Sequence, residues 1–288
     1  MTDTEEGDLL GRVVEWASQQ PDIAALVMTG SRARPEGGDE LSDYDLEIFT
    51  SNPTALTDSE DWFRGLGNVW VHLPAEAERG CPTRLVVYEG GEKADFSILP
   101  IEVLQQAVEK QALGALYERG YTVLLDKTGL ASQLPPPTYQ PPVHELPTEA
   151  AYRELIEEFW FEASHIPKYL ERGDLWVVKF RDWTMKELLR TMLEWHALAP
   201  GGKGNDVWYI GMRMKEWVQP GVWERLHDAF GRFDVADSWR ALLSTVSLFR
   251  DLAVATGMKL GFRYPQEVDD AVSGYIGEFE TKFGRAAP

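Results

Sequence analysis

Residues 23–50 read IAALVMTGSRARPEGGDELSDYDLEIFT, and this stretch decides the fold. Ile23 to Thr29 is a continuous apolar run of strand length, closed by the Gly30-Ser31 break. A polar loop rich in Gly and Pro runs to Ser42, and Asp43 to Thr50 returns to strand with clean alternation. Tyr44, Leu46 and Ile48 share one face, while Asp43, Asp45 and Glu47 share the other. Two carboxylates two residues apart on one strand face can converge on the same cations, and Mg²⁺ favours such hard oxygen ligands. Gly30 allows close backbone approach to a phosphate, and the Ser31 hydroxyl can hydrogen-bond it. Acids on a polar strand face are usually solvated, and Gly-Ser occurs in many loops. The order of strand, Gly-Ser turn, loop and Asp-x-Asp strand raises both signals.

Outward from there, residues 5–19 have the spacing of an amphipathic helix ended by Pro21. Thr83 to Glu89 and Glu92 to Leu99 are β-rich runs joined by Gly90-Gly91, which predicts a hairpin. Asp95 lies in the second run between Ala94 and Phe96, where a lone acid is costly to bury without a partner or a metal. If that strand neighbours the Asp43–Asp45 strand, it completes a triad. A helix is expected over 101–119 and a strand over 121–125. Six prolines within 134–147 predict an extended linker. Helical periodicity then covers 149–170, 174–198, 206–217, 221–229, 236–256 and 265–283. The expected architecture is an α/β domain with a mixed β-sheet over 1–133, the linker 134–147 and a C-terminal α-helical bundle over 148–288.

Lys+Arg 28 against Asp+Glu 47 gives a formal charge of −19, a field that repels nucleic acid and anionic membranes and attracts cations. Acidity can equally serve solubility alone. Cys81 is the single cysteine, which excludes an internal disulfide, and the five histidines have no metal-ligand spacing. Residues 1–8 are acidic and polar, unlike a secretory signal, and no apolar run reads as a membrane span; a cytoplasmic protein is expected. Trp160, Trp176, Trp183 and Trp195 recur at mostly helical intervals and are expected in the core.

The pattern G-S-R-A-R-P at 30–35 followed by S-D-Y-D-L-E at 42–47 resembles the nucleotidyltransferase superfamily with a DNA-polymerase-β-like core. Trp62-Phe63, the run from Ala94 to Pro100, Glu158-Phe159-Trp160 and Glu187-Leu188-Leu189-Arg190 are similar to aminoglycoside 6-adenylyltransferases, the streptomycin-modifying enzymes. The resemblance spans nearly the whole chain and implies transfer of AMP from ATP to an antibiotic hydroxyl, releasing pyrophosphate. It implies that Asp43, Asp45 and Asp95 are the catalytic carboxylates and ligate Mg²⁺ in a two-ion site, with Gly30 and Ser31 at the triphosphate. Asp95 serves as metal ligand or as general base. The helical domain is expected to bind a cationic acceptor, with Glu158, Glu162, Asp174 and Asp182 as a set of candidate anions.

Arg32 has two readings, a phosphate contact or an ion pair with the acidic loop 36–40. Lys168 and Lys179, on predicted helices, either balance triphosphate charge or are solvated. Glu47 is expected outside direct metal contact. Pro35 and Gly37-Gly38 depart from the plainer G-S-x-A-x-G spacing of many superfamily members. Two alternatives stay open: a nucleotidyltransferase of this fold with another small-molecule or protein acceptor, and a catalytically silent relative that binds a nucleotide or a cation.

Overall fold

The computed structural model describes residues 8–35, 38–77, 80–201, 206–207 and 209–283. Residues 5–7 of the first expected helix, Gly37 of the phosphate loop and Trp208 lie outside them. The chain forms two compact units, Met1–Pro142 and Val143–Pro288, each with its own core.

In the first unit, α1 (Leu9–Gln19) begins at Asp8, whose carboxylate accepts from the Gly11 N–H, a side-chain cap for an orphan donor. Strand β1 (Ile23–Thr29) is buried at every position, as its unbroken apolar run requires. β2 (Tyr44–Thr50) follows, then the short helices α2 (Pro53–Thr57) and α3 (Asp61–Arg64). Next come β3 (Val69–Ala77), β4 (Cys81–Tyr88) and β5 (Lys93–Pro100). The β4–β5 turn places Gly90 and Gly91 at φ 88° and 86°, where a side chain is strained. α4 (Ile101–Lys110), α5 (Ala115–Glu118) and β6 (Thr122–Asp126) complete the unit. The single helix expected over 101–119 is thus two, because Gln111 turns left-handed at φ 46° and ends the first.

The six strands form one mixed sheet in the order β3-β4-β5-β2-β1-β6. Among the described residues, the β2–β5 pair alone is parallel. Both faces are covered. Leu9, Val13, Trp62 and Phe63 pack with Leu46, Phe96 and Ile98 on one side; Leu104, Ala131 and Leu134 pack with Val27 and Phe49 on the other. The first part of the Pro-rich segment is tied to this unit. The Tyr139 N–H donates to the Glu118 carbonyl, and the Tyr121 hydroxyl to the Pro135 carbonyl.

The second unit is helical: α6 (Glu149–Arg172), α7 (Leu175–Leu198), α8 (Met214–Trp217), α9 (Pro220–Ala229), α10 (Val235–Leu260) and α11 (Gln266–Phe283). The helix expected over 206–217 is reduced to its last turn, because Tyr209, Ile210, Gly211 and Arg213 all have positive φ. Trp160 is fully buried, and Phe159 stacks on Phe249 with centroids 3.6 Å apart. Trp176 and Trp183, expected in the core, are instead 81% and 61% exposed. Their spacing of seven puts both on one face of α7, while Val178, Met185, Leu189 and Met192 take the core face. Helix α10 is long and apolar enough to cross a membrane, contrary to the sequence reading, and 56% of its apolar window is buried within the protein.

One buried charge cluster clips α10 to α11. Asp269 takes two bonds from Arg250, at 2.6 and 2.7 Å, one from the Tyr264 hydroxyl at 2.8 Å and one from Ser273 at 2.7 Å. Burial works against its charge, yet these bonds hold its carboxyl below the ordinary aspartate value. A depressed pKa contributes stability above the unfolded-state value, near pH 4, that is lost as pH falls through the folded value. Asp269→Ala is expected to cost about 2–3 kcal/mol in urea unfolding, less than a fully buried pair because Arg250 is one-third exposed. The variant should also lose less stability than wild type between about pH 5 and pH 2, read from unfolding midpoints.

Candidate active site

β1 delivers the Gly30 turn and β2 returns antiparallel beside it, so Thr29 stands opposite Asp45. A one-turn 3₁₀ segment, Ser31–Ala33, separates them from the loop. Gly30 adopts φ 71° and ψ −154°, a region open in practice only to glycine. A Cβ there would lie 1.8 Å from Asp45 Oδ2, so the turn backbone and this carboxylate touch.

On the other side β5 runs parallel to β2 with Asp45 paired to Asp95 and Tyr44 to Ala94. In a parallel pair, residues in register project to the same face, so the two carboxylates are neighbours across the strand gap of about 4.8 Å. Asp43 lies two residues before Asp45 and returns to that face. Lys93, two residues before Asp95, joins them: its Nζ donates to Asp43 Oδ2 at 2.7 Å and to Asp95 Oδ2 at 3.2 Å. Asp43, Asp45 and Asp95 thus meet at one end of the sheet.

The electrostatics follow from this crowding. Burial, then the charges of Asp95 and Asp43, push the Asp45 carboxyl above its ordinary value, against the pull of Lys93 and Arg34. Burial raises Asp95 as well, with Lys93 opposing. Burial disfavours the Lys93 ammonium, but its bonds to Asp43 and Asp95 leave it held above the ordinary lysine value. Asp95 Oδ1 is buried and has no hydrogen-bond partner.

These features fit a divalent cation: hard oxygen donors, an excess of negative charge and a buried acceptor atom without a donor. Among the described residues, no three His, Cys, Asp or Glu side chains already form a ready metal cage. Between Asp43 and Asp95 stands an ammonium instead.

The remaining sequence candidates are placed as follows. Arg32 lies over the Tyr44 ring, 4.2 Å from its centroid, and donates to the Ser42 carbonyl at 2.8 Å. It braces the loop through backbone carbonyls rather than through a carboxylate. Glu47 accepts from the Tyr117 hydroxyl at 2.5 Å. In the helical unit, Lys179 donates to the Gly231 carbonyl at 2.9 Å, and the Lys168 ammonium is 5.2 Å from the Tyr169 ring centre. Of the four candidate acids there, Glu162 is bonded to Arg181 and Asp182 to Lys186. A hollow of about 540 Å³ is lined by Met28, Arg32, Arg34 and Tyr44, of which the strand residues Met28 and Tyr44 alternate with Asp45 and so stand on the other sheet face.

Sequence reading missed Lys93. The signal was present in Lys93-Ala94-Asp95, where period two puts lysine and aspartate on one face, but a lysine beside a turn reads first as solvated.

The sequence matches the streptomycin adenylyltransferase family over residues 4–279. It is 23% identical to an aminoglycoside 6-adenylyltransferase of Campylobacter jejuni, covering 97% of both chains. It is also 23% identical to one of Staphylococcus aureus, over 66% of this chain and 69% of that one. A crystal structure of an aminoglycoside 6-adenyltransferase from Bacillus subtilis aligns over 94% of this chain and 97% of that one, at 18% identity and a TM-score of 0.45. With the family match spanning both units, the chain belongs to the streptomycin adenylyltransferase family and is a nucleotidyltransferase.

Proposed function

We propose that this enzyme transfers AMP from ATP to a hydroxyl of an aminoglycoside such as streptomycin, with Mg²⁺ and with release of pyrophosphate. The observation that carries the reading is the in-register pairing of Asp45 with Asp95, with Asp43 tied to Asp95 through Lys93, directly beside the Gly30 turn. Three carboxylates beside a glycine turn suit the binding of a metal-chelated triphosphate.

In this reading Asp43 and Asp45, with Asp95 as a further ligand or as the base, would hold Mg²⁺ in a two-ion site, and the metal would supply charge neutralisation at the phosphates. Gly30 admits the triphosphate to close backbone approach, and Ser31 offers a hydroxyl to it. Arg32 keeps the loop that ends at Asp43 in place through Ser42. Glu47, on the same strand face, accepts from the Tyr117 hydroxyl and is proposed to stay outside direct metal contact. The acceptor hydroxyl would attack the α-phosphorus as the bond to pyrophosphate breaks, its proton passing to Asp95 where that carboxylate serves as base, and the protein contributes mainly positioning. Lys168 and Lys179 are proposed only as general counter-charges to a bound nucleotide. The net charge of −19 favours arrival of a polycationic acceptor over nucleic acid or an anionic membrane. A single cysteine and an ATP co-substrate suit a cytoplasmic setting.

The test is mass spectrometry of streptomycin incubated with protein, ATP and Mg²⁺. A product heavier by one AMP, matched by pyrophosphate release that stops on chelation of the metal, is expected. Failure of every aminoglycoside tried to gain AMP, under conditions where another acceptor does, would reassign the acceptor.

A further inference from the structure

Lys93 is unusual among the charged groups of the first unit. It contacts two carboxylates, Asp43 immediately before β2 and Asp95 within β5, and both belong to the proposed metal triad. Its neighbours by alternation and register explain the placement. Lys93 opens β5, its side chain shares a face with Asp95, and the parallel pairing brings Asp43 within reach across the gap. The ammonium therefore takes up the donor atoms Asp43 Oδ2 and Asp95 Oδ2 that a metal would need. Asp45 receives no hydrogen bond from it, only its field. Three carboxylates and one ammonium leave a formal charge of −2 (−3 + 1) on the cluster, whereas the carboxylates alone carry −3.

Resting on the reading that the triad binds metal, we propose that Lys93 is a resident counter-cation that competes with divalent metal for Asp43 and Asp95. On loading, its ammonium transfers to the phosphates of the incoming nucleotide. Like charges in contact repel strongly in a half-buried site, so the ammonium cannot stay on both carboxylates beside a dication. A lysine has the flexible four-carbon stem for such a move, and as a point charge it binds phosphate without a fixed fork geometry. Its side chain is one-third exposed, so the path outward is open. The consequence is coupling. Metal without nucleotide must displace a cation that then has no partner, whereas metal with nucleotide offers Lys93 a new one. Lys93 is in this sense a positioning residue: it keeps mutually repelling carboxylates aligned before the substrate arrives.

The experiment is Mn²⁺ binding followed by electron paramagnetic resonance, with and without a non-hydrolysable ATP analogue, so that no turnover enters the readout. Wild type is expected to bind Mn²⁺ weakly alone and at least about tenfold more tightly with the analogue, a coupling of ordinary size. Lys93→Met is expected to bind Mn²⁺ alone about tenfold more tightly than wild type and to lose most of the coupling. Lys93→Arg, which keeps the charge, should retain weak metal binding, and circular dichroism confirms that each variant is folded. Equal or weaker Mn²⁺ binding by folded Lys93→Met, or undiminished coupling, overturns the proposal. Asp45→Asn separates the two layers of the argument. If it leaves Mn²⁺ binding intact, the triad is not the metal site and the role of Lys93 fails with it. If it abolishes binding while Lys93→Met changes nothing, only the competition is wrong.

Discussion

Asp45→Asn is expected to lower the rate of AMP transfer by about a thousandfold or more, since loss of a metal-ligating charge removes several kcal/mol of transition-state stabilisation. The same exchange should leave the protein as stable as wild type or slightly more stable. Asp45 is packed beside Gly30 and faces Asp95 and Asp43, so in the absence of metal its charge is repelled on two sides. Asparagine keeps nearly the same shape and removes that repulsion. A change that destroys activity while preserving or raising the thermal midpoint distinguishes a functional carboxylate from a structural one. Mg²⁺-dependent pyrophosphate release by Asp45→Asn at the wild-type rate would overturn the assignment.

Gly30→Ala should damage both stability and turnover. The φ of 71° with ψ −154° lies where alanine is strained, at a cost of about 1–3 kcal/mol. The added Cβ also points into the Asp45 carboxylate at 1.8 Å, so that side chain or the turn must move. A displacement of about 1 Å at a positioned group is enough to cost roughly a hundredfold in rate. Denaturant unfolding and steady-state kinetics on the same preparation measure the two effects. An alanine variant indistinguishable from wild type in both would mean that the turn does not brace the carboxylate.

The parts of the fold that sequence made legible are those whose pattern is local. The unbroken run Ile23–Thr29, the alternation through Tyr44–Thr50 and the Gly90-Gly91 hairpin all carry their own periodicity and punctuation, and all four strands stand within two residues of where they were expected. Strand β3 was not foreseen. It lies at the sheet edge with Trp70, Val71 and Leu73 exposed and Pro74 within it, so it has neither alternation nor an uninterrupted run. Only its pairing with β4 identifies it as a strand, and that contact is set by the tertiary fold. The same distinction applies to α7, whose apolar residues cover more than one face. Its helical character was plain, but which tryptophans would be buried was not, because that depends on what packs against it.

At the site, Asp43 and Asp45 were readable from their spacing, whereas their meeting with Asp95 was implied by the family resemblance and, from the residues alone, only on the condition that the two strands are neighbours. That meeting depends on β5 lying parallel to β2 with Asp45 opposite Asp95; a register shift of one residue would send Asp95 to the opposite face. Arg32 illustrates the reverse case. Its charge beside Gly30-Ser31 suggested a phosphate ligand or an ion pair, and the chain spends it on the Tyr44 ring and the Ser42 carbonyl. Sequence shows which groups are charged, whereas the backbone around them decides which partners they find.

The most direct measurement is a crystal structure of the enzyme with a non-hydrolysable ATP analogue and Mn²⁺, located by anomalous scattering. The account predicts manganese bonded to carboxylate oxygens of Asp43 and Asp45, with the triphosphate against Gly30 and Ser31 and Lys93 withdrawn from both Asp43 and Asp95 toward the phosphates. Manganese and nucleotide seated together elsewhere, with the Lys93 bridge to Asp43 and Asp95 intact, would contradict it.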